Sequence, residues 1–218
     1  ELANALKLFN IVMGEGDEKF TPKAALRAGD IEVQQQNFPQ AVRNFYVLYS
    51  QSENKTDQVT GLIRLMDTYF VMKKYDSTLH FAREVISTGD VIPGSTKKAQ
   101  MQTAKVYLEK ADYKTADAEF KKIIAANKDE FGAEAKYWAS EALFRQEKYI
   151  EAQASIMELN KQFADYERWR VRAFILLADV YVGLKDTDQA KATLQSVIEN
   201  AEDKAAVDLA KTKLAALQ

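Results

Sequence analysis

Residues 112–120 read DYKTADAEF, and residues 186–194 follow the same pattern as DTDQAKATL. In each stretch an alanine, Ala116 or Ala190, is followed four positions later by a bulky apolar residue. The small residue recurs as Ala41, Thr78, Ala116, Ala152 and Ala190, at spacings of 37, 38, 36 and 38 positions. A nearly constant period of this size indicates an array of helical repeats. Such arrays present extended surfaces instead of an active-site cavity. The pattern therefore predicts the class of function but does not identify a partner.

The five copies carry residues of a similar type at several other positions. An aromatic residue lies three positions before the small residue in four copies, and a small residue lies twelve positions before it in four. Seven positions after it, all five copies carry an apolar residue: Leu48, Val85, Ile123, Leu159 and Val197. Two antiparallel helices approach closely where the crossing residues are small, while larger side chains fill the volume beside the crossing. Each copy is therefore predicted to form a pair of antiparallel helices.

The second copy departs from the pattern in two places. Met66 stands where the other copies have a small residue, and Ala82 stands where they have a bulky one. We interpret this as an exchange of volume within one core layer. Restoring a phenylalanine at position 82 is then expected to overpack the core.

The aligned pattern is similar to that of the tetratricopeptide repeat, most clearly over Ala104–Tyr107 with 112–120 and over Ala178–Tyr181 with 186–194. The resemblance implies an all-α, right-handed superhelical solenoid of antiparallel helix pairs. It would contain about five full repeats, a partial N-terminal repeat and a C-terminal capping helix. The expected ranges are 1–17 for the partial repeat, about 21–55, 58–92, 96–129, 132–166 and 170–203 for the repeats, and 204–217 for the cap.

Local signals refine these boundaries. The spacing exceeds the 34 residues of the family, and we expect the excess in polar loops such as Gln51–Gln58 and Ser87–Ser95. Thr21 before Pro22 is typical of an N-cap residue followed by a proline in the first turn of a helix. No stretch alternates apolar and polar residues between hairpin turns, which predicts the absence of strands. Because Ala5 begins a small-then-bulky pair without a preceding first helix, we expect the sequence to be a fragment of a longer chain.

Composition argues against several classes of function. Thirty basic and thirty-two acidic residues give a net charge of −2, without the basic stripe of a nucleic-acid-binding protein. No apolar run approaches the roughly 20 residues that span a bilayer, so we expect no membrane insertion of this segment. The chain has one histidine, His80, and no cysteine, and its glycine-rich stretch GEGDEK at 14–19 carries acids that would repel a phosphate. We therefore predict no enzymatic activity, metal or cofactor.

The resemblance also implies a binding surface. In the family, positions two, five, nine, twelve and thirteen of each repeat lie on the first helix and face a concave groove, and positions five, nine and twelve supply the candidates here. These positions correspond here to the candidate groove residues Leu26, Asp30, Ile63, Asp67, Phe70, Met101, Lys105, Tyr137, Glu141, Phe144, Ile175 and Asp179, with Val33, Leu108 and Val182 also at position twelve. Apolar ridges would flank a mostly acidic row. Such a groove suits a peptide with apolar and basic side chains.

Two classes of function remain open. The first is a scaffold that binds a protein or peptide through its concave surface. The second is a structural spacer that supports another domain of a longer chain and binds nothing in the groove, with the apolar stripes serving as core and the charges as a solvated face. The phrase YWASEALFRQEKYIEA at 137–152 and the long period resemble repeat proteins of the bacterial cell envelope, which favours the periplasm or envelope over the cytoplasm.

Overall fold

The computed structural model describes residues 1–217, and these residues form helices without any strand. The all-α expectation is confirmed. The helices are α1 (Leu2–Glu15), α2 (Thr21–Gln34), α3 (Phe38–Gln51), α4 (Lys55–Val71), α5 (Tyr75–Thr88), α6 (Ser95–Glu109), α7 (Tyr113–Ala126), α8 (Glu130–Arg145), α9 (Tyr149–Gln162), α10 (Glu167–Gly183), α11 (Thr187–Asn200) and α12 (Lys204–Ala215). They divide into two compact units, Glu1–Val106 and the part from Tyr107 onward, with the boundary inside α6.

The helices alternate between two types. The first helices α2, α4, α6, α8 and α10 vary from 14 to 17 residues, whereas the second helices α3, α5, α7, α9 and α11 all have 14. Every turn from a first to a second helix has the same length, so the first helix always ends seven residues before the small residue. The variation in period therefore lies at the start of the first helix and in the loop that precedes it.

Each of these turns contains a non-glycine residue in the left-handed region, five positions before the small residue. Their φ angles lie between 57° and 63°, at Gln36, Lys73, Ala111, Glu147 and Lys185. At Ala111 the backbone N–H donates to the Leu108 carbonyl at 3.0 Å, and the next N–H, of Asp112, donates to the Tyr107 carbonyl at 2.9 Å. These two bonds form a Schellman motif, which satisfies carbonyls that the helix end leaves free. The other four turns have the same pair of bonds.

The residue that completes this motif also precedes the second helix. Asp112 and Asp186 use their side chains there, accepting hydrogen bonds from the backbone N–H groups of Thr115 and Gln189. These bonds satisfy an N–H that the start of a helix leaves free. In the second and fourth repeats Lys74 and Lys148 occupy this position, where no side-chain cap is formed.

The small residues lie at the helix crossings, as the sequence predicted. All five are fully buried, and so are the residues four positions later. Gly29 shows how close the approach is, because a Cβ atom added there would lie 2.5 Å from the ring of Phe45. At the fourth crossing the Ser140 hydroxyl of α8 donates a hydrogen bond to the Ser155 hydroxyl of α9, at 2.8 Å. Thr78 fits its crossing by donating its hydroxyl to the Lys74 carbonyl at 3.1 Å.

The exchange of volume proposed for the second repeat is consistent with the packing. Met66 and Ala82 are both fully buried in one apolar cluster. The aromatic bulk comes from the neighbouring residue Phe81, whose ring stacks on Tyr69 at 5.6 Å and meets the edge of Tyr46 at 5.7 Å. Met66 and Ala82 thus lie in the same core layer, as an exchange of volume between them requires.

Two expected helix starts were wrong. The loop predicted at Gln51–Gln58 is only Ser52–Asn54, because the Asn54 side chain caps α4 by accepting from the N–H groups of Thr56 and Asp57. Helix α2 begins at Thr21 itself, with Phe20 as the residue before it, and the Thr21 hydroxyl is buried without a hydrogen-bond partner. The threonine therefore packs inside the first turn instead of capping it.

The terminal helices α1 and α12 pack against their neighbours. α12 lies on α10 and α11 and buries Ala206 and Ala210. Leu209 of the same helix is 48% exposed. At the other end α1 packs on α2, and none of its residues is fully buried.

Candidate functional site

The carboxylates at position nine of the first helices lie beside basic residues. In the first unit, the Asp30 carboxylate is 3.2 Å from the Arg64 guanidinium, which belongs to the next first helix. Asp67 pairs in the same way with Lys98, at 2.5 Å. Each pair joins two first helices that follow one another in the chain. Lys105, the basic residue at position nine, is half-buried.

The second unit repeats this arrangement. Arg145 donates to Glu141 at 2.9 Å and to Glu109 at 2.8 Å, so one guanidinium joins α8 to α6. Burial alone would lower the pKa of Arg145, but its hydrogen bonds to Glu141 and Glu109 outweigh burial and raise it. Lys213 of α12 contacts both carboxylate oxygens of Asp179, at 2.7 and 2.9 Å.

These ion pairs determine how much negative charge the acidic row, the carboxylates at position nine, offers to a ligand. The paired side chains keep between about a sixth and a half of their surface exposed, and exposed pairs of this kind contribute roughly 0–1 kcal/mol each. Their effect on stability is small, but they neutralise the charge of the row. The row is therefore not a strip of free negative charge.

The apolar candidates fall into two groups. Met101 and Ile175 are core residues, with 3% and 6% of their surface exposed, and Leu108 is equally buried at 1%. The half-buried group is Leu26, Val33, Ile63, Phe70, Tyr137 and Phe144, and Val182 is exposed. Only this second group can offer apolar surface to a partner.

A cleft of about 340 Å³ opens on the first-helix face of the first unit, and we name it the first-unit cleft. Its walls come from α2, α3 and α4. The lining residues are Asp30, Val33, Gln34, Phe38, Phe45, Arg64, Asp67, Thr68 and Val71. Val71, at the end of α4, is 57% exposed and gives this cleft an apolar rim.

A second cleft, of about 280 Å³, lies across α8, α10 and α12, and we name it the second-unit cleft. It brings together four of the predicted residues with five that the sequence did not single out. The lining residues are Tyr137, Trp138, Glu141, Arg172, Ile175, Leu176, Asp179, Leu209 and Lys213. Small-molecule sites occupy about 300–1,000 Å³, and both clefts have volumes near the lower end of this range. Each cleft is therefore large enough for one or two side chains of a partner.

Two aromatic residues, Tyr137 and Trp138, line the second-unit cleft, and Trp169 packs against Tyr137. The Tyr137 ring lies 5.2 Å from the Trp138 ring and 5.6 Å from the Trp169 ring, measured between centroids. Burial raises the pKa of Tyr137 to about 12, and the nearby carboxylate of Glu141 adds to the shift. The phenol therefore stays protonated throughout the physiological range. Within residues 1–217 its hydroxyl has no hydrogen-bond partner.

The basic residues that line the second-unit cleft, or pair with a carboxylate there, were missed by sequence reasoning, although some signals were present. Arg145 follows Glu141 by four positions, a spacing that places two side chains together on a helix. Arg172 occupies position two of the fifth repeat, which the resemblance also assigns to the groove. Lys213 lies 34 residues after its partner Asp179, and only the repeat period could have related them.

The described part of the chain also lacks the features of two other kinds of site. No helix there is both long and apolar enough to span a bilayer. The same residues contain no cluster of histidine, aspartate or glutamate suited to hold a metal ion.

Comparison with known proteins relates the chain to one family. Residues 171–204 match the tetratricopeptide repeat model. No curated protein sequence matches the chain significantly.

Among solved structures, NprR in complex with its cognate peptide NprX has a TM-score of 0.65 at 14% identity, over 97% of this chain and 63% of NprR. This chain thus spans less than two thirds of NprR. The C-terminal part of a TPR repeat-containing protein from Cytophaga hutchinsonii has a TM-score of 0.60 at 15% identity, over 100% of this chain and 90% of that one. YrrB, a TPR protein with an unusual peptide-binding site, has a TM-score of 0.51 at 14% identity, over 94% and 97%.

At these identities the likeness establishes the fold. The matched repeat lies in α10 and α11, and the same turn and crossing geometry recurs in the other four helix pairs. Residues 171–204 thus match one tetratricopeptide repeat, and the chain has the fold of tetratricopeptide repeat proteins.

Proposed function

We propose that the chain is a non-catalytic protein-interaction scaffold that binds a peptide, or an extended segment of a partner protein, through the face formed by its first helices. The observation that carries the proposal is the open cleft on this face in each unit, with the size of one or two side chains and an apolar rim. Two proteins that share the fold, NprR and YrrB, are described with a bound peptide and with a peptide-binding site, respectively, which supports the proposal.

The partner chemistry differs from the one expected from sequence. Basic side chains were expected to bind the acidic row, but Arg64, Lys98, Arg145 and Lys213 already neutralise its carboxylates. A basic partner would have to displace these residues, which removes most of the electrostatic gain. We therefore keep the apolar part of the expected partner and assign less weight to the basic part. Localisation in the periplasm or cell envelope stays a prediction.

The spacer alternative is favoured by the same ion pairs. Two of them, Asp30–Arg64 and Asp67–Lys98, join consecutive first helices, and Asp179–Lys213 joins α10 to α12, as a purely structural array would require. The two functions differ in one measurable respect, since a spacer does not bind peptides at the clefts.

The test is a selection of peptide ligands followed by binding measurements on four variants. Random peptides displayed on phage are selected against the immobilised chain, and synthetic versions are measured by fluorescence anisotropy. Val71→Glu and Leu209→Glu each place a charge at the rim of one cleft, at positions that are 57% and 48% exposed. Ile150→Glu and Ile86→Glu are the matched controls, because these isoleucines are 64% and 37% exposed on second helices.

Loss of binding in a cleft variant, with retained binding in both controls, supports the proposal. A selection that yields no ligand, or ligands that only the control variants weaken, contradicts it and favours the spacer. Charge reversal of Asp67, Glu141 and Asp179 is a poorer test, because a lysine there would face Lys98, Arg145 or Lys213 and reduce stability as well as binding.

A further inference from the structure

We propose that the second-unit cleft recognises an acidic side chain, aspartate or glutamate, next to an apolar residue of the bound peptide. Arg172 and Tyr137 are the groups that bind the carboxylate. This inference rests on the proposed function and assigns its ligand a charge opposite to the one predicted from the sequence.

The first argument is the distribution of partners among the charged groups of the cleft. Both carboxylates that line it are already paired, Glu141 with Arg145 and Asp179 with Lys213. Arg172 also lines the cleft and is exposed, and within residues 1–217 it forms neither an ion pair nor a hydrogen bond. The charge that remains available to a ligand is therefore positive.

The second argument is that the Arg172 guanidinium is held in place by a contact that leaves its N–H groups free. Its Cζ atom lies 5.1 Å from the centroid of the Trp169 ring, within the range of a cation–π interaction. Arg168, one helical turn earlier, lies over the same ring at 5.4 Å and adds a second positive charge. A guanidinium that stacks in this way presents its planar set of donors to a carboxylate.

The third argument is a second donor in the same cleft. The Tyr137 ring lies 5.6 Å from the Trp169 ring on which Arg172 stacks. Tyr137 lines the same cleft as Arg172, and its hydroxyl has no hydrogen-bond partner in the described residues. A phenol and a guanidinium together match an acceptor with two oxygens.

The apolar half of the ligand follows from the opposite wall. Leu209 of α12 is 48% exposed at the cleft, although α12 otherwise buries its small residues. An apolar side chain between Leu209 and the Tyr137 ring would cover both. The cleft volume of about 280 Å³ suffices for such a side chain with a carboxylate beside it.

The experiment compares selected peptides and variants of the intact chain. Random peptides are displayed as fusions through their C-termini, so that the carboxylates on offer come only from side chains. Selected sequences are synthesised with amidated C-termini, once as selected and once with each Asp or Glu replaced by Asn or Gln. Their affinities are measured for the parent, Arg172→Ala, Tyr137→Phe and the control Arg83→Ala, which removes an exposed arginine from α5. Circular dichroism confirms that each variant is folded.

We expect selected peptides to be enriched in an acidic residue next to an apolar one. Arg172→Ala should weaken the acidic peptide about tenfold or more, since it removes a charged hydrogen-bond partner, and should leave the amide version nearly unchanged. Tyr137→Phe should have a smaller effect in the same direction, and Arg83→Ala none. Peptides without acidic enrichment, or acidic peptides that bind Arg172→Ala as well as the parent, overturn this inference and leave the scaffold function standing. The absence of any selected peptide refutes both.

Discussion

Replacing Ala111 by glycine should stabilise the protein. Ala111 has a φ of 57° and is exposed in the turn between α6 and α7. A left-handed conformation costs a residue with a Cβ atom roughly 1–2 kcal/mol, and glycine escapes this cost. Glycine also has more conformational freedom in the unfolded chain, which reduces the gain in folding free energy by about 0.4–1 kcal/mol. The net gain should be about 0.5–1 kcal/mol.

The matched control is Ala118→Gly in α7. Ala118 is also exposed, but it lies in the middle of a helix with ordinary helical geometry. The same chemical change there should destabilise by roughly 0.5–1 kcal/mol. The two variants therefore differ only in the backbone conformation that the turn imposes.

Thermal unfolding followed by far-UV circular dichroism measures both effects. For a chain of this size 1 kcal/mol corresponds to about 2–4 °C in Tm, so Ala111→Gly should raise the Tm by about 1–4 °C while Ala118→Gly lowers it. The same sign for both variants would mean that the turn does not hold residue 111 in the left-handed region. Combining Lys73→Gly with Ala111→Gly should add the two gains, because the two turns share no partner.

Two further predictions concern the core and the helix caps. Ala82→Phe should overpack the cluster around Met66 and destabilise by about 1–3 kcal/mol, and adding Met66→Ala should restore part of the loss; an unchanged Tm in Ala82→Phe would contradict the exchange of volume. The hydrogen bond from Thr115 lowers the pKa of Asp112 below its ordinary value, so its contribution to stability is complete above the unfolded pKa and is lost as the pH falls through the folded one. Thermal melts at acid pH should accordingly show a smaller stability difference between the parent and Asp112→Asn than at neutral pH, whereas a constant difference would refute the assignment of this cap.

The helix pairs could be predicted because their crossings require particular residue sizes. Ala41, Ala116, Ala152 and Ala190 are fully buried where the period placed them. The left-handed turns within the helix pairs could not be predicted, because they require no particular type of residue. No glycine marks the left-handed position, which is occupied by residues as different as Ala111 and Glu147, since the backbone hydrogen bonds alone determine the conformation there.

The clefts were predicted in part. The repeat register identified Tyr137, Glu141 and Asp179 as neighbours on the first-helix face, and the second-unit cleft contains all three. The register could not show that Lys213 would reach back 34 residues to neutralise Asp179, because such a pair depends on how far α12 is rotated against α10. It also placed Ile175 on the surface although the side chain is buried.

The constant length of the turns and second helices determines where the chain tolerates insertions. From the crossing residue of a first helix to the end of the following second helix, every repeat has the same number of residues. One extra residue inside this segment would rotate the remainder of a helix by about 100° and move its crossing residue away from its partner. An addition in the loop at 89–94 leaves both crossings in phase. Lengthening of the repeats, whether by gene duplication with drift or by design, is therefore confined to the loops that enter the first helices.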